Sequence, residues 1–295
     1  MKIINDIKKV IKSNKKLYSL VRPIELKYYA LRRRIVVAGN ITLQYWIKPK
    51  IRKITGNREK KDLLRFHNIH KGKRIFVIAT GPSLREEDVL KLKDEITISV
   101  NGTVTLVDTI GWRPTYYFIS DPVTWLREKD MINKSGYKDI FMPFATMKKF
   151  ESDFSFVPHY YDGYVKIKYI LAVLRGKEHT EEMEFSDDLY FKGACILAES
   201  VMAQAVQFAA YAGASEIYLL GQDCDYSGPK PYFNDEIGEH AFLPAEQVDR
   251  AIRSIFDFYK VARQHCEAHH IKLYNATRGG RLEELERVDF DKVIV

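Results

Sequence analysis

Asp223-Cys224-Asp225 sets two carboxylates one residue apart, a spacing that could hold Mg2+ against a diphosphate. The same triplet also suits a plain turn, in which one acid caps a backbone amide and the other is solvated. Gly81-Pro82-Ser83 is a second candidate. It follows the apolar run Ile75-Phe76-Val77-Ile78, and Glu86 stands three residues past Ser83, the pattern of a capping box. Strand, glycine turn and helix N-terminus together can offer backbone N–H groups and a positive dipole to a phosphate. An ordinary β-α connection would carry the same residues. Other polar groups stand just past further apolar runs: Thr80, Asn101, Asp121, Gln222, Tyr226 and Arg278. Alone, each is turn chemistry, and Arg278 could equally anchor C-terminal acids. Their recurrence after one run after another indicates a polar small-molecule site. His159, His265, His269 and His270 show no constellation, and the last three fall near a helix C-terminus, where partial positive charge is favourable.

Such residues can act together only if a scaffold brings several loop ends to one rim. From residue 72 the pattern supplies one. Ile75–Ile78, Ile96–Val100, Thr115–Ser120, Asp139–Phe144, Glu216–Leu220 and Ile271–Tyr274 read as strands. Between them, 86–93, 104–110, 195–212 and 245–269 read as helices, the third stopped by Gly213. Alternation of this kind predicts an α/β fold with a doubly wound, mainly parallel, Rossmann-like sheet. In such sheets ligands sit at the carboxyl ends of the strands, near a topological switch. The expected division is a basic helical extension over 1–70 and a nucleotide-binding catalytic domain over 71–295. Residues 145–190, irregular and aromatic, are expected as a flap or insertion within that domain.

Composition narrows the class. The 295 residues, 46% hydrophobic and 29% charged, suffice for a full core. Three cysteines without metal spacing argue against a disulfide framework and a zinc site, and fit a reducing compartment. The start is charged throughout, unlike a signal peptide, and no uncharged apolar run is long enough to span a bilayer. The net charge of +8 is uneven: residues 1–60 hold 17 Lys/Arg against 3 Asp/Glu, and the remainder is net acidic. Residues 2–21 put Ile3, Ile7, Val10, Ile11, Leu17 and Val21 near one helical face, with lysines mostly elsewhere. A basic amphipathic helix with nearby tyrosines and Trp46 is expected on an anionic membrane surface; packing on the body or a partner subunit is the plainer alternative. No nucleic-acid recognition module is present, so nucleic acid is not an expected partner.

The ordered set of strand-Gly81-Pro82-Ser83-Leu84, a strand ending in Asn101, a Gly-led Ala-rich helix and Ile217-Tyr218-Leu219-Leu220-Gly221-Gln222-Asp223 resembles the bacterial single-domain sialyltransferases of GT-A-like variant type. It is still more similar to the MptE-like proteins, named for 6-hydroxymethylpterin diphosphokinase, and the closing segment from Tyr274 to Glu283 is typical of that group. The resemblance covers about residues 72–285. The sialyltransferase pattern implies that Gly81, Pro82 and Ser83 line the nucleotide, that Asn101 contacts the donor, and that Gly193 lies near its phosphate. It also implies that Tyr226 and Tyr232 hold the phosphate of a CMP-sugar and that His240 is the general base of an inverting displacement. The chain departs from that pattern at Thr80, where asparagine is usual, at the extra Asp225, and in the shorter stretch from Tyr232 to His240.

The resulting expectation is a glycosyltransferase in surface-glycan or glycoprotein assembly. Its donor would be a nucleotide-activated sugar, favoured as a CMP-linked nonulosonate, and its acceptor a glycan or lipid-linked glycan. No cofactor is required. The enzyme would be cytoplasmic, at the inner face of the cytoplasmic membrane, with a homo-oligomer compatible. The first alternative is an ATP- and Mg2+-dependent diphosphokinase with the ion on Asp223 and Asp225, and the second is a non-catalytic scaffold of the same fold.

Overall fold

The computed structural model describes residues 31, 35, 38–40, 42–48, 50–51, 62–164, 167–175, 183–192, 198, 200–226, 232–234 and 245–294. Residues 2–21, Gly193 and His240 lie outside them. Among the described residues, nine strands run β1 (Arg74–Ile78), β2 (Ile96–Val100), β3 (Tyr116–Phe118), β4 (Ile140–Pro143), β5 (His159–Tyr164), β6 (Tyr190–Lys192), β7 (Glu216–Leu220), β8 (Lys272–Asn275) and β9 (Glu286–Arg287). The helices are α1 (Glu86–Leu90), α2 (Leu106–Ile110), α3 (Pro122–Lys134), α4 (Phe144–Met147), α5 (Ile167–Arg175), α6 (Val201–Tyr211), α7 (Ala245–Ala268) and α8 (Phe290–Val293). This is the expected α/β, Rossmann-like architecture.

The strands form one sheet in the order β6-β5-β4-β3-β2-β1-β7-β8-β9, and neighbours among the described residues pair in parallel. The chain therefore builds outward from β1 through β2 to β6, then returns to lay β7 on the other side of β1. That reversal makes the β1–β7 junction the topological switch, the crevice where ligands bind in sheets of this class. Register carries all three central strands to one level, since Ile78 is opposite Ser99 on β2 and Leu220 on β7.

The central strands read as unbroken apolar runs because both faces are covered. Ile75, Val77, Ile98, Val100, Ile217 and Leu219 pack against Phe208 of α6 and Phe258 of α7. Phe76, Ile78, Tyr218 and Leu220 face Val89, Leu106 and Phe290 on the opposite side. Burying each such side chain contributes about 1.5–3 kcal/mol. A third cluster under β3 and β4 centres on Trp125 of α3, which is fully buried.

Two boundaries differ from expectation. Leu63 and Phe66, upstream of residue 71, are buried in the main core together with Ala38, because their apolar side chains seal the α6 face. Within 145–190, the segment read as irregular supplies β5, α5 and the start of β6, and so extends the sheet instead of standing off it.

Candidate functional site at the sheet switch point

At the switch the ladder continues past the strands. Ala79 N–H donates to Leu220 O and Gly81 N–H to Gly221 O, each at 2.8 Å. Gly81 is obligatory at this approach, since a Cβ there would fall inside contact distance of Asp223 Oδ2 and Gly221 O. Ser83 then differs from its sequence expectation. The N-cap of α1 is Arg85 in extended conformation, without any side-chain cap, so the capping box with Glu86 is not formed. Instead Ser83 Oγ and N–H both donate to Asp223 Oδ2, at 2.9 and 3.3 Å. The long-range carboxylate wins because it lies directly across the junction, 140 residues away in sequence.

Asp223 is 5% exposed. Burial pushes its carboxyl above the usual carboxylate range; the Ser83 hydrogen bonds oppose that shift and the nearby Asp225 charge adds to it. The loop after β8 closes the other side. Gly279 faces Asp223 and Ser83, and Gly280, at φ +80°, lies where any Cβ would meet the Asp223 backbone. Arg281 N–H donates to Asp223 O at 2.7 Å. Gly279 and Gly280 were not singled out as site residues from the sequence. The signal was present in the paired glycines just after an apolar run.

A raised folded-state pKa means that the folded protein holds this proton more tightly than the unfolded chain does. Wild-type stability attributable to Asp223 is then greatest below the ordinary value of 3.8 and declines as pH rises through the raised value. Asp223→Asn lacks this titration. Its melting temperature minus that of wild type is expected to grow from pH 4 upward and to level off near neutrality. A difference independent of pH across that range would contradict the buried carboxyl.

Cys224, at φ +52°, turns the chain between the two acids. It is buried and its thiol is pushed up to about 12 by burial, so it is not a thiolate nucleophile near neutral pH. Gln222 is held at both ends: its N–H donates to Thr277 Oγ1 at 3.1 Å and its Nε2 to Cys224 Sγ at 3.1 Å. Tyr226 and Tyr232 are brought together with ring centroids 6.3 Å apart. The residue after Tyr232 ties that loop to the first turn, Phe233 N–H donating to Thr80 O at 3.0 Å. Burial, with the adjacent Tyr232, raises the Tyr226 phenol far above its ordinary value, so it remains an O–H donor near neutral pH. Asn101 follows β2 at φ +44°, with its carbonyl accepting from Tyr117 Oη at 2.7 Å. Its side-chain Oδ1 is buried with no hydrogen-bond partner among the described residues.

Two candidates have other duties. Asp121 caps α3, its Oδ1 accepting from Thr124 N–H at 2.7 Å with Pro122 at the first helical position. Arg278 turns away from the crevice to Asp88, at 2.6 and 2.8 Å, and to Asp291, at 2.8 Å. This is the C-terminal anchoring that its sequence also allowed. Thr80 is half-buried and Pro82 exposed beside Gly81.

The crevice thus joins a carboxylate of raised proton affinity to the Ser83 hydroxyl, with the Tyr226–Tyr232 pair tied in through Phe233 and Asn101 placed after the neighbouring strand β2. Asp223 presents Oδ1 toward Gly279 while Oδ2 takes both Ser83 bonds. With Asp225, it is a hard-oxygen donor set of the kind Mg2+ accepts.

Residues 48–229 match the family described as 6-hydroxymethylpterin diphosphokinase MptE-like. The matched span contains β1 to β7 and, with them, Gly81, Ser83, Asn101, Asp223, Asp225 and Tyr226. No curated protein and no solved structure matches the chain. Since the match covers well over half of the sequence, the chain belongs to the MptE-like family.

Proposed function

We propose that the β1–β7 crevice seats the phosphate of a nucleotide donor and that the protein is a transferase moving the activated group onto a hydroxyl. Within that class we favour glycosyl transfer from a CMP-linked acidic sugar. The observation that carries this choice is the Tyr226–Tyr232 pair, tied through Phe233 to the Thr80 turn. In the displacement the acceptor oxygen forms a bond to the anomeric carbon as the carbon–oxygen bond to phosphate breaks. The electron pair leaves on a phosphate oxygen, where phenol O–H donors stabilise the developing charge without a metal. The acceptor proton needs a base; His240 is the proposed one, an imidazole titrating near neutrality. Asn101 Oδ1 has unused acceptor capacity for a donor hydroxyl or amine.

The second reading is diphosphoryl transfer, favoured by Asp223-Cys224-Asp225 and by the family's description. There the alcohol oxygen attacks the β-phosphorus of ATP and AMP departs with the electron pair of the broken bond. Bound Mg2+ would neutralise charge on the diphosphate, held by Asp223 and Asp225. Placement at a membrane surface belongs to the same proposal: no helix among the described residues is long and apolar enough to cross a membrane, while Leu31, Ile35, Leu43 and Ile51 are exposed near the basic N-terminus.

Calorimetry separates the readings. CMP binding in EDTA is expected under glycosyl transfer, and Tyr226→Phe or Tyr232→Phe is then expected to lower kcat/KM about 10²-fold. Binding of Mg·ATP with no response to CMP would overturn that choice in favour of the diphosphokinase. Binding of neither nucleotide would end both.

A further inference from the structure

Asp187, His265 and His269 gather at the far end of the sheet from the crevice. His265 lies in the last turn of α7, and His269 N–H donates to His265 O at 3.1 Å, so helical spacing continues to His269. Residues four apart share a helix face. Accordingly the two imidazoles lie side by side, centroids 4.2 Å apart and planes 29° apart. Asp187, just before β6, approaches both: its Oδ1 is 3.7 Å from His265 Nε2 and 3.8 Å from His269 Nε2. One potential ligand atom from each residue falls within 4.8 Å of the others.

Those separations decide what the group can be. At 3.7–3.8 Å the carboxylate is beyond hydrogen-bond range of either ring. The ligands of a tetrahedral ion with 2.0–2.1 Å bonds to nitrogen stand about 3.4 Å apart. The two carboxylate–imidazole separations therefore exceed that value by only a few tenths of an ångström, and all three atoms stay within 4.8 Å of one another. The carboxylate is also presented by a braced segment. Phe185 stacks on His265 with centroids 4.3 Å apart, Ser186 Oγ donates to Asp188 Oδ1 at 2.9 Å, and Gln207 Nε2 of α6 donates to Asp188 O at 3.0 Å.

We infer that Asp187, His265 and His269 form a binding site for a divalent transition metal of the zinc class, which fastens the segment before β6 to the end of α7. Two imidazoles and one carboxylate suit Zn2+, Co2+ or Ni2+, whereas Mg2+ prefers oxygen alone. A tetrahedral ion would keep one position for water, on the side where Asp187 and His269 are exposed. The site is separate from the crevice in place and in ligand chemistry, because β8 starts three residues after His269 and runs parallel to β7, whose far end leads to Asp223.

The test uses the full chain after chelation and desalting. Titration with ZnCl2 is expected to show one ion per chain and to raise the melting temperature by about 5 °C at a hundredfold excess over Kd. Millimolar MgCl2 should not substitute. His269→Ala and Asp187→Ala alter exposed side chains, and each is expected to weaken Zn2+ binding at least tenfold while leaving nucleotide binding unchanged. Substituted Co2+ should give a visible absorption band in wild type that His269→Ala loses. Zn2+ binding unaltered in both variants, or none up to 100 times the protein concentration, would overturn the assignment.

Discussion

Gly81→Ala is expected to abolish nucleotide binding and to lower the melting temperature by roughly 5–12 °C. The added methyl group meets Asp223 Oδ2 on one side and Gly221 O on the other. Neither can yield independently. Moving Asp223 breaks both Ser83 hydrogen bonds, and moving Gly221 breaks the 2.8 Å bond from Gly81 N–H that closes β1 onto β7. Overpacking costs about 1–3 kcal/mol, and an unsatisfied buried partner about 1–3 more. The total, about 2–6 kcal/mol, falls on the junction where the phosphate would sit, so binding suffers beyond the stability loss. Gly39→Ala is the control, because no atom of the described residues lies within 4 Å of its Cβ position. Differential scanning calorimetry and nucleotide titration check both effects. Wild-type affinity in Gly81→Ala would mean that ligand is bound elsewhere.

Arg278→Met is expected to cost about 2–4 kcal/mol of stability while leaving the affinity of the crevice within a fewfold of wild type. Asp88 is only 3% exposed and receives two hydrogen bonds from Arg278. Without the guanidinium its nearest cation is Lys91 Nζ, at 3.8 Å and itself exposed. A buried carboxylate that loses its partner typically costs 3–5 kcal/mol; the partial exposure of Arg278 trims that figure. Asp88→Leu on the Arg278→Met background should recover part of the loss, because the stranded charge is removed as well. Chemical denaturation of the four proteins gives the coupling energy. Should Arg278→Met keep wild-type stability and lose nucleotide affinity tenfold or more, the side chain would be a ligand contact, as its place just past an apolar run allowed.

Four strands were legible as runs of apolar residues: Ile75–Ile78, Ile96–Val100, Glu216–Leu220 and Ile271–Tyr274. The covered faces make local composition and final environment agree. β5 was not legible. His159–Tyr164 mixes polar and aromatic side chains, and its extended form is secured by pairing with Phe141–Pro143. α3 escaped notice for another reason. Val123 and Leu126 are exposed while Glu128 is buried beside Trp125, which blurs the 3.6-residue period. Its start, Asp121-Pro122, was written in the sequence all the same.

The order of apolar runs and turn residues was enough to determine an alternating α/β chain with polar groups gathered past the strand ends. It did not disclose that β7, six strands later in the chain, lies against β1. That adjacency decides the chemistry: it takes Ser83 from the helix cap that Glu86 offered and gives it to Asp223, it makes Gly81 irreplaceable, and it lets the β8 loop close over both. Asp187 and the His265–His269 pair likewise meet only after folding, since 78 residues separate the carboxylate from the first imidazole. Capping and periodicity act within a few residues along the chain, whereas these partners are chosen by which strand lies beside which, a consequence of burying both faces of one sheet.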